Sequence, residues 1–177
     1  MGIVIGLVVA SFMLYFPYEW CRRRGESESD YGLKWYLTCE SKRDVMIALT
    51  LTLIPLTVAA FYWPYEWGGR GLKHPSFWVA LDQLGGGIAA AFIEETFFRG
   101  WLQTLAVRKF GVWLGIFAAT LAFALSHLVV MTGWLRVATF FPGLVMAVLR
   151  HRGGSVLPSI IYHAVCNAWA VWLAPVP

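Results

Sequence analysis

Gly85-Gly86-Gly87-Ile88-Ala89-Ala90-Ala91-Phe92-Ile93-Glu94-Glu95-Thr96-Phe97-Phe98-Arg99-Gly100-Trp101-Leu102 sets two adjacent carboxylates and an arginine inside a stretch otherwise as apolar as a membrane segment. An ionised group at bilayer depth costs at least ~2.5–3.5 kcal/mol on insertion scales. Glu94, Glu95 and Arg99 fall within six residues. So dense a cluster points to a functional site.

The rest of the chain agrees with a membrane setting. It has 177 residues, 59% of them hydrophobic and only 14% charged, with a mean hydropathy of +0.63. Soluble domains carry roughly a quarter charged residues and cannot hide this much apolar surface at this length. The apolar runs are continuous rather than alternating, which argues against a β-barrel. The expected class is an all-α, polytopic integral membrane protein, a single domain over residues 1–177. About six transmembrane helices are expected around a polar intramembrane cavity, near residues 2–20, 45–67, 77–110, 112–131, 135–149 and 156–173. The third is long enough that Gly85-Gly86-Gly87 is expected to break it, and Pro55 and Pro64 are candidate kinks in the second.

The formal charge of +4 and pI near 9.1 do not indicate a nucleic-acid partner, because the basic residues flank apolar segments. Loops 21–44, 108–110 and 150–154 carry most of the Lys and Arg, against Arg70, Lys73 and Arg136 opposite. That bias places the protein in the cell membrane with the basic loops cytoplasmic and both termini outside. Residues 2–16 lack a basic lead and a small-x-small site, so they read as a first membrane helix rather than a cleaved signal. Gly25 to Asp30 is too polar to insert, and Tyr31 to Leu37 is expected to lie as a short amphipathic surface piece. Cys21, Cys39 and Cys166 show no disulfide or metal-finger spacing.

On a helix, Glu95 and Arg99 are four apart and face each other, so a charge-paired staple accounts for them. Glu94 projects about 100° away and is left over. Two other apolar segments supply polar groups: Phe123-Ala124-Leu125-Ser126-His127, and His163-Ala164-Val165-Cys166-Asn167, whose His163 and Asn167 share a face. Any one of these alone is more often an interhelical hydrogen-bonding residue than a catalyst. At ~1.5 Å per residue, Glu94, His127 and His163 lie about 18–24 Å from the basic ends of their helices, a common depth.

Together, Glu94-Glu95-x-x-x-Arg99, Phe123-x-x-x-His127 and His163-x-x-x-Asn167 resemble the three-motif signature of the CAAX-protease and bacteriocin-processing (CPBP) intramembrane endopeptidases. The resemblance covers roughly residues 85–170, which would form the catalytic core. Residues 1–84 would add N-terminal helices and a polar loop. It implies an enzyme that hydrolyses peptide bonds of a membrane-associated substrate, a peptide or protein that is lipidated or membrane-anchored. By carry-over, Glu94 is the general base and His127 holds and polarises the water. His163 and Asn167 stabilise the oxyanion, and Glu95 with Arg99 supports the site. Membrane lipid is the other expected partner.

No cofactor is favoured. Zinc held by Glu94, His127 and His163 stays as the alternative, because two histidines and a carboxylate with an open position make a catalytic zinc set. The H-E-x-x-H motif is absent, and Asn167 suits an oxyanion donor better than a metal ligand. A serine mechanism fares poorly, since Ser126 and His127 are neighbours on a helix and point about 100° apart. An aspartyl mechanism needs a second membrane aspartate beside Asp82. The rival from another class is a non-catalytic scaffold or proton-relay transporter, for intramembrane Glu, His and Arg also mark ion paths.

Overall fold

A computed structural model describes residues 2–62, 73–130 and 134–173. Among these the secondary structure is helical throughout. Helix α1 spans Gly2–Arg24, α2 Cys39–Tyr62 and α3 Phe77–Glu94. A π-helical segment, Glu95–Leu102, joins α3 to α4, Gln103–Phe110. Then come α5 at Val112–Val130, a 3-10 turn at Trp134–Thr139, α6 at Phe140–Gly153 and α7 at Leu157–Leu173. A second 3-10 turn, Glu28–Tyr31, lies between α1 and α2.

The expectation of six transmembrane helices is corrected. Among the described residues only two helices, Val4–Arg24 and Cys39–Tyr62, are long and apolar enough to cross a membrane by length and composition. The apolar stretches Val112–Leu128 and Leu157–Leu173 are shorter. The expected fifth span begins as a 3-10 turn, and its α-helix has 14 residues. At 1.5 Å per residue that is about 21 Å, well short of a ~30 Å hydrocarbon core. Hydropathy reads apolarity but not helix length.

The outer surface nevertheless suits lipid. Val4, Leu7 and Val8 on α1, Leu51 and Ile54 on α2, and Phe77 and Trp78 on α3 all project outward. Apolar surface this extensive marks a membrane or protein contact, which supports membrane association.

The third helix does not break at its glycines. It is helical through Gly85-Gly86-Gly87 and changes register only afterwards, where the Gln103 N–H reaches the carbonyl of Phe98. That i→i+5 bond is the mark of a π-turn, a feature frequent at functional sites. The widened segment is packed on both sides. Phe97 meets Phe12 of α1 at 6.2 Å between ring centroids, and Trp101 meets Phe16 and Trp20 at 5.0 and 5.6 Å. On its other face Phe98 packs edge-on to Phe123 of α5 at 5.3 Å. Helix α2 runs through Pro55; Pro64 lies outside the described residues.

The basic loops gather at one end of the bundle, and the segment expected to lie on the surface is threaded through them. Tyr31 and Leu33 are buried. The Tyr31 hydroxyl donates to Glu26 Oε2 at 2.6 Å, and Arg108 Nη1 donates to the same oxygen at 2.6 Å. These two donors hold the Glu26 carboxyl below its ordinary range, the tyrosine contributing most. Burial pushes the Tyr31 phenol up. The Val156 N–H donates to Gly32 O at 2.9 Å, and Ser155 Oγ donates to Lys34 O while accepting from the Leu157 N–H at 3.2 Å as the cap of α7. Arg152 closes onto Asp44 of α2 at 2.8 Å.

Where α4 turns back into α5 the two helices touch backbone to backbone. A Cβ on Gly115 would lie 2.5 Å from Val107 Cα, whereas one on Gly85 would meet nothing within 4 Å. Gly115→Ala should therefore lower stability by about 1–3 kcal/mol through forced separation of the hairpin. Gly85→Ala should raise it by up to about 1 kcal/mol, as expected for an unobstructed helix interior. Thermal unfolding in detergent checks both; equal midpoints for the two variants would contradict the close crossing.

Candidate active site

Glu94 and Glu95 sit at the junction of α3 and the π segment, and the junction sends them to different places. Glu95 is fully buried, with Arg99 Nε 3.4 Å from its Oε2 and His163 Nδ1 donating to its Oε1 at 3.1 Å. Glu94 instead faces a cavity of about 620 Å³, which His127, His163 and Asn167 also line. Its Oε2 is buried without a hydrogen-bond partner and lies 4.0 Å from His163 Nε2. The pairing of Glu95 with Arg99 expected from their spacing is present. The contact of Glu95 with His163 was not expected.

Each of the other polar groups is oriented by a second contact. His127 Nδ1 donates to the carbonyl of Phe123, one turn earlier on α5, at 3.0 Å. A carbonyl only accepts, so this nitrogen carries the proton, and in the neutral ring Nε2 keeps its lone pair. His163 is oriented in the same way by the Glu95 carboxylate. Asn167 Nδ2 donates to Gly87 O on α3 at 2.9 Å, which leaves its second N–H. A Cβ on Gly87 would lie 3.0 Å from that of Asn167, so a glycine is what allows α3 and α7 to approach here.

Phe123 is the floor on which these groups rest. Its ring lies 4.7 Å from His127 and 6.1 Å from His163, and the Arg99 guanidinium stacks on it at 4.5 Å. Ser126 also lines the cavity, but its hydroxyl donates to Phe123 O at 2.7 Å rather than to a histidine.

A family model matches residues 76–169, just over half the chain, under the description type II CAAX prenyl endopeptidase Rce1-like. The chain belongs to the Rce1-like family. This ties it in general terms to the CAAX-protease superfamily that the three motifs resemble. No curated protein and no solved structure matches the chain.

The Rce1-like segment begins one residue before α3 and ends within α7, so α1 and α2 lie outside it. Yet α1 supplies part of the cavity wall through Val9 and Met13, four residues apart on one helical face. Gln83 on α3 adds a further polar lining group. None of these three stood out in sequence. Val9 and Met13 lie in an evenly apolar helix, where nothing distinguishes the inward face from the lipid face.

The zinc alternative does not fit this geometry. Among the described residues no three His, Cys, Asp or Glu side chains gather closely enough to hold a metal ion. Glu94, His127 and His163 line one cavity without forming such a cluster.

Proposed function

We propose that the protein is an endopeptidase that hydrolyses peptide bonds of membrane-associated substrates through a water activated by Glu94. The observation that carries the reading is the convergence of Glu94, His127, His163 and Asn167, from three helices, on one cavity. A water between Glu94 and His127 meets two acceptors, the Glu94 carboxylate and the imidazole Nε2. Both its protons then point away from the substrate, and an oxygen lone pair is left for the carbonyl carbon.

As that bond forms, Glu94 takes one proton, and the carbonyl oxygen becomes the tetrahedral oxyanion. The unused Asn167 N–H is placed to donate to it, and so is His163 Nε2 when the ring carries both protons, with Glu95 as counter-charge. Preorganised donors act most strongly in a site that excludes bulk water. Collapse of the intermediate breaks the C–N bond, and Glu94 returns its proton to the leaving amine. Glu95 and Arg99 touch no reacting atom; they are positioning residues that hold His163.

The apolar lining suits a substrate delivered within the lipid phase, lipidated or membrane-anchored. The basic end is assigned to the cytoplasm by its Lys and Arg, and the chain is taken as one membrane domain. The test is cleavage of a membrane-anchored peptide in liposomes by wild type, Glu94→Ala and His127→Ala. Each variant should be slower by about 100-fold or more. Equal cleavage by all three preparations would remove the catalytic reading.

A further inference from the structure

Nearly every arginine whose side chain is described has a carboxylate within 4.0 Å. Arg22 and Arg23 reach Glu19, Arg24 and Arg108 reach Glu26, Arg43 and Arg152 reach Asp44, and Arg99 reaches Glu95. Among the described residues Arg150 is the exception. It is also held in place more firmly than a surface arginine. Its Nη2 donates to Thr104 Oγ1 at 3.1 Å, and its Nε is buried with no hydrogen-bond partner.

The guanidinium rests directly on the backbone of Gly32. A Cβ there would come within 2.3 Å of Arg150 Nε, and Gly32 has φ +65, a conformation that favours glycine. The seat is therefore built, and the cation in it hydrogen-bonds to the neutral Thr104 hydroxyl and, among the described residues, to no carboxylate within 4.0 Å. A charge withdrawn from water without a counter-ion is costly.

Beside it is a pocket of about 230 Å³ at the basic end, lined by Gln103, Thr104, Arg108, Arg150 and His151, with Asp30 as the single opposing charge. Asp30 is exposed and makes no ion pair with Arg150 within 4.0 Å. Arg108 is occupied by Glu26 and Tyr31. The unspent charge is that of Arg150.

We propose that this pocket is an anion site in which Arg150 receives a phosphate group. The planar guanidinium fork matches tetrahedral phosphate oxygens, with His151 as a neighbouring polar group, while the Thr104 hydroxyl, which donates to Gly100 O at 2.6 Å, serves to hold Arg150. Basic pockets between helices at the cytoplasmic side are where anionic lipid headgroups are held. A soluble phosphate would satisfy the same chemistry. The site is independent of the cavity around Glu94.

The test uses the full chain, purified in detergent and stripped of lipid, with the unfolding midpoint followed during titration. The additions are phosphatidylglycerol, phosphatidylcholine and inorganic phosphate. Phosphatidylglycerol should raise the midpoint saturably, as a ligand of the folded state does, and phosphatidylcholine should not. Inorganic phosphate giving the same shift identifies a soluble ligand, and no shift with it identifies the lipid. Arg150→Gln should weaken the response about tenfold or more in apparent Kd. Asp30→Asn should strengthen it, by removing the opposing charge while leaving Arg150 in place. The proposal is overturned if no anion shifts the wild type, or if Arg150→Gln responds as the wild type does. Should Arg150→Gln fail to fold, Asp30→Asn decides: tighter binding supports the site, and unchanged or weaker binding overturns it.

Discussion

Glu94→Gln should lower the turnover of a membrane-anchored peptide by about 10²–10⁴-fold, the range of a lost general base, while KM and the unfolding midpoint stay close to wild type. The substitution is nearly isosteric. Glu94 lines the cavity, and its Oε2 has no hydrogen bond to break. An amide there cannot accept the proton of an attacking water, so the loss falls on the chemical step. Its amide oxygen can still face His163 Nε2, 4.0 Å from the carboxylate in the wild type, so the fold has no reason to suffer. Rates measured in liposomes, with melting in detergent alongside, separate the two effects. A large fall in midpoint would class Glu94 with the structural ion pairs, and unchanged turnover would take it out of the mechanism.

How much of this could be read from the chain differs from residue to residue. The three polar motifs were legible because charge and imidazole are expensive in apolar helices, and because i,i+4 spacing fixes a shared face before any tertiary contact forms. Hence the meeting of Glu94, His127, His163 and Asn167 at one cavity follows lines already visible in the sequence.

The π segment was not legible. Its widening depends on Phe97 and Trp101 packing against an aromatic row of α1 some 80 residues earlier, and no local pattern encodes that. The three glycines misled for a related reason. Glycine weakens an isolated helix by about 1 kcal/mol, but at Gly87 the missing side chain is what admits Asn167. Among the described residues the count of spans failed at four of the six helices, most plainly at α6, where the apolar run begins in a 3-10 turn and leaves only 14 residues of helix.

Glu95→Gln should be the more damaging change to the fold, by about 3–5 kcal/mol, the usual consequence of removing one partner from a buried ion pair. Glu95 and Arg99 are both 0% exposed, and the arginine nitrogens make no hydrogen bond that would stand in for the lost charge. The Phe123 ring face and the more distant Glu94 carboxylate remain to the guanidinium, and the ring contact is worth about 2 kcal/mol when desolvated. Glu95→Gln combined with Arg99→Met removes both charges and should recover most of the lost stability, since neutral replacement of a buried pair is often tolerated. Activity should not return with it. His163 Nδ1 would face an amide in place of a carboxylate, so the doubly protonated ring that donates to the oxyanion would lose its counter-charge. Unfolding midpoints and cleavage rates for wild type, the single and the double variant distinguish the roles. Recovery of both together would make the pair a staple alone. Recovery of stability with turnover still depressed, chiefly in kcat, would assign Glu95 the positioning of His163.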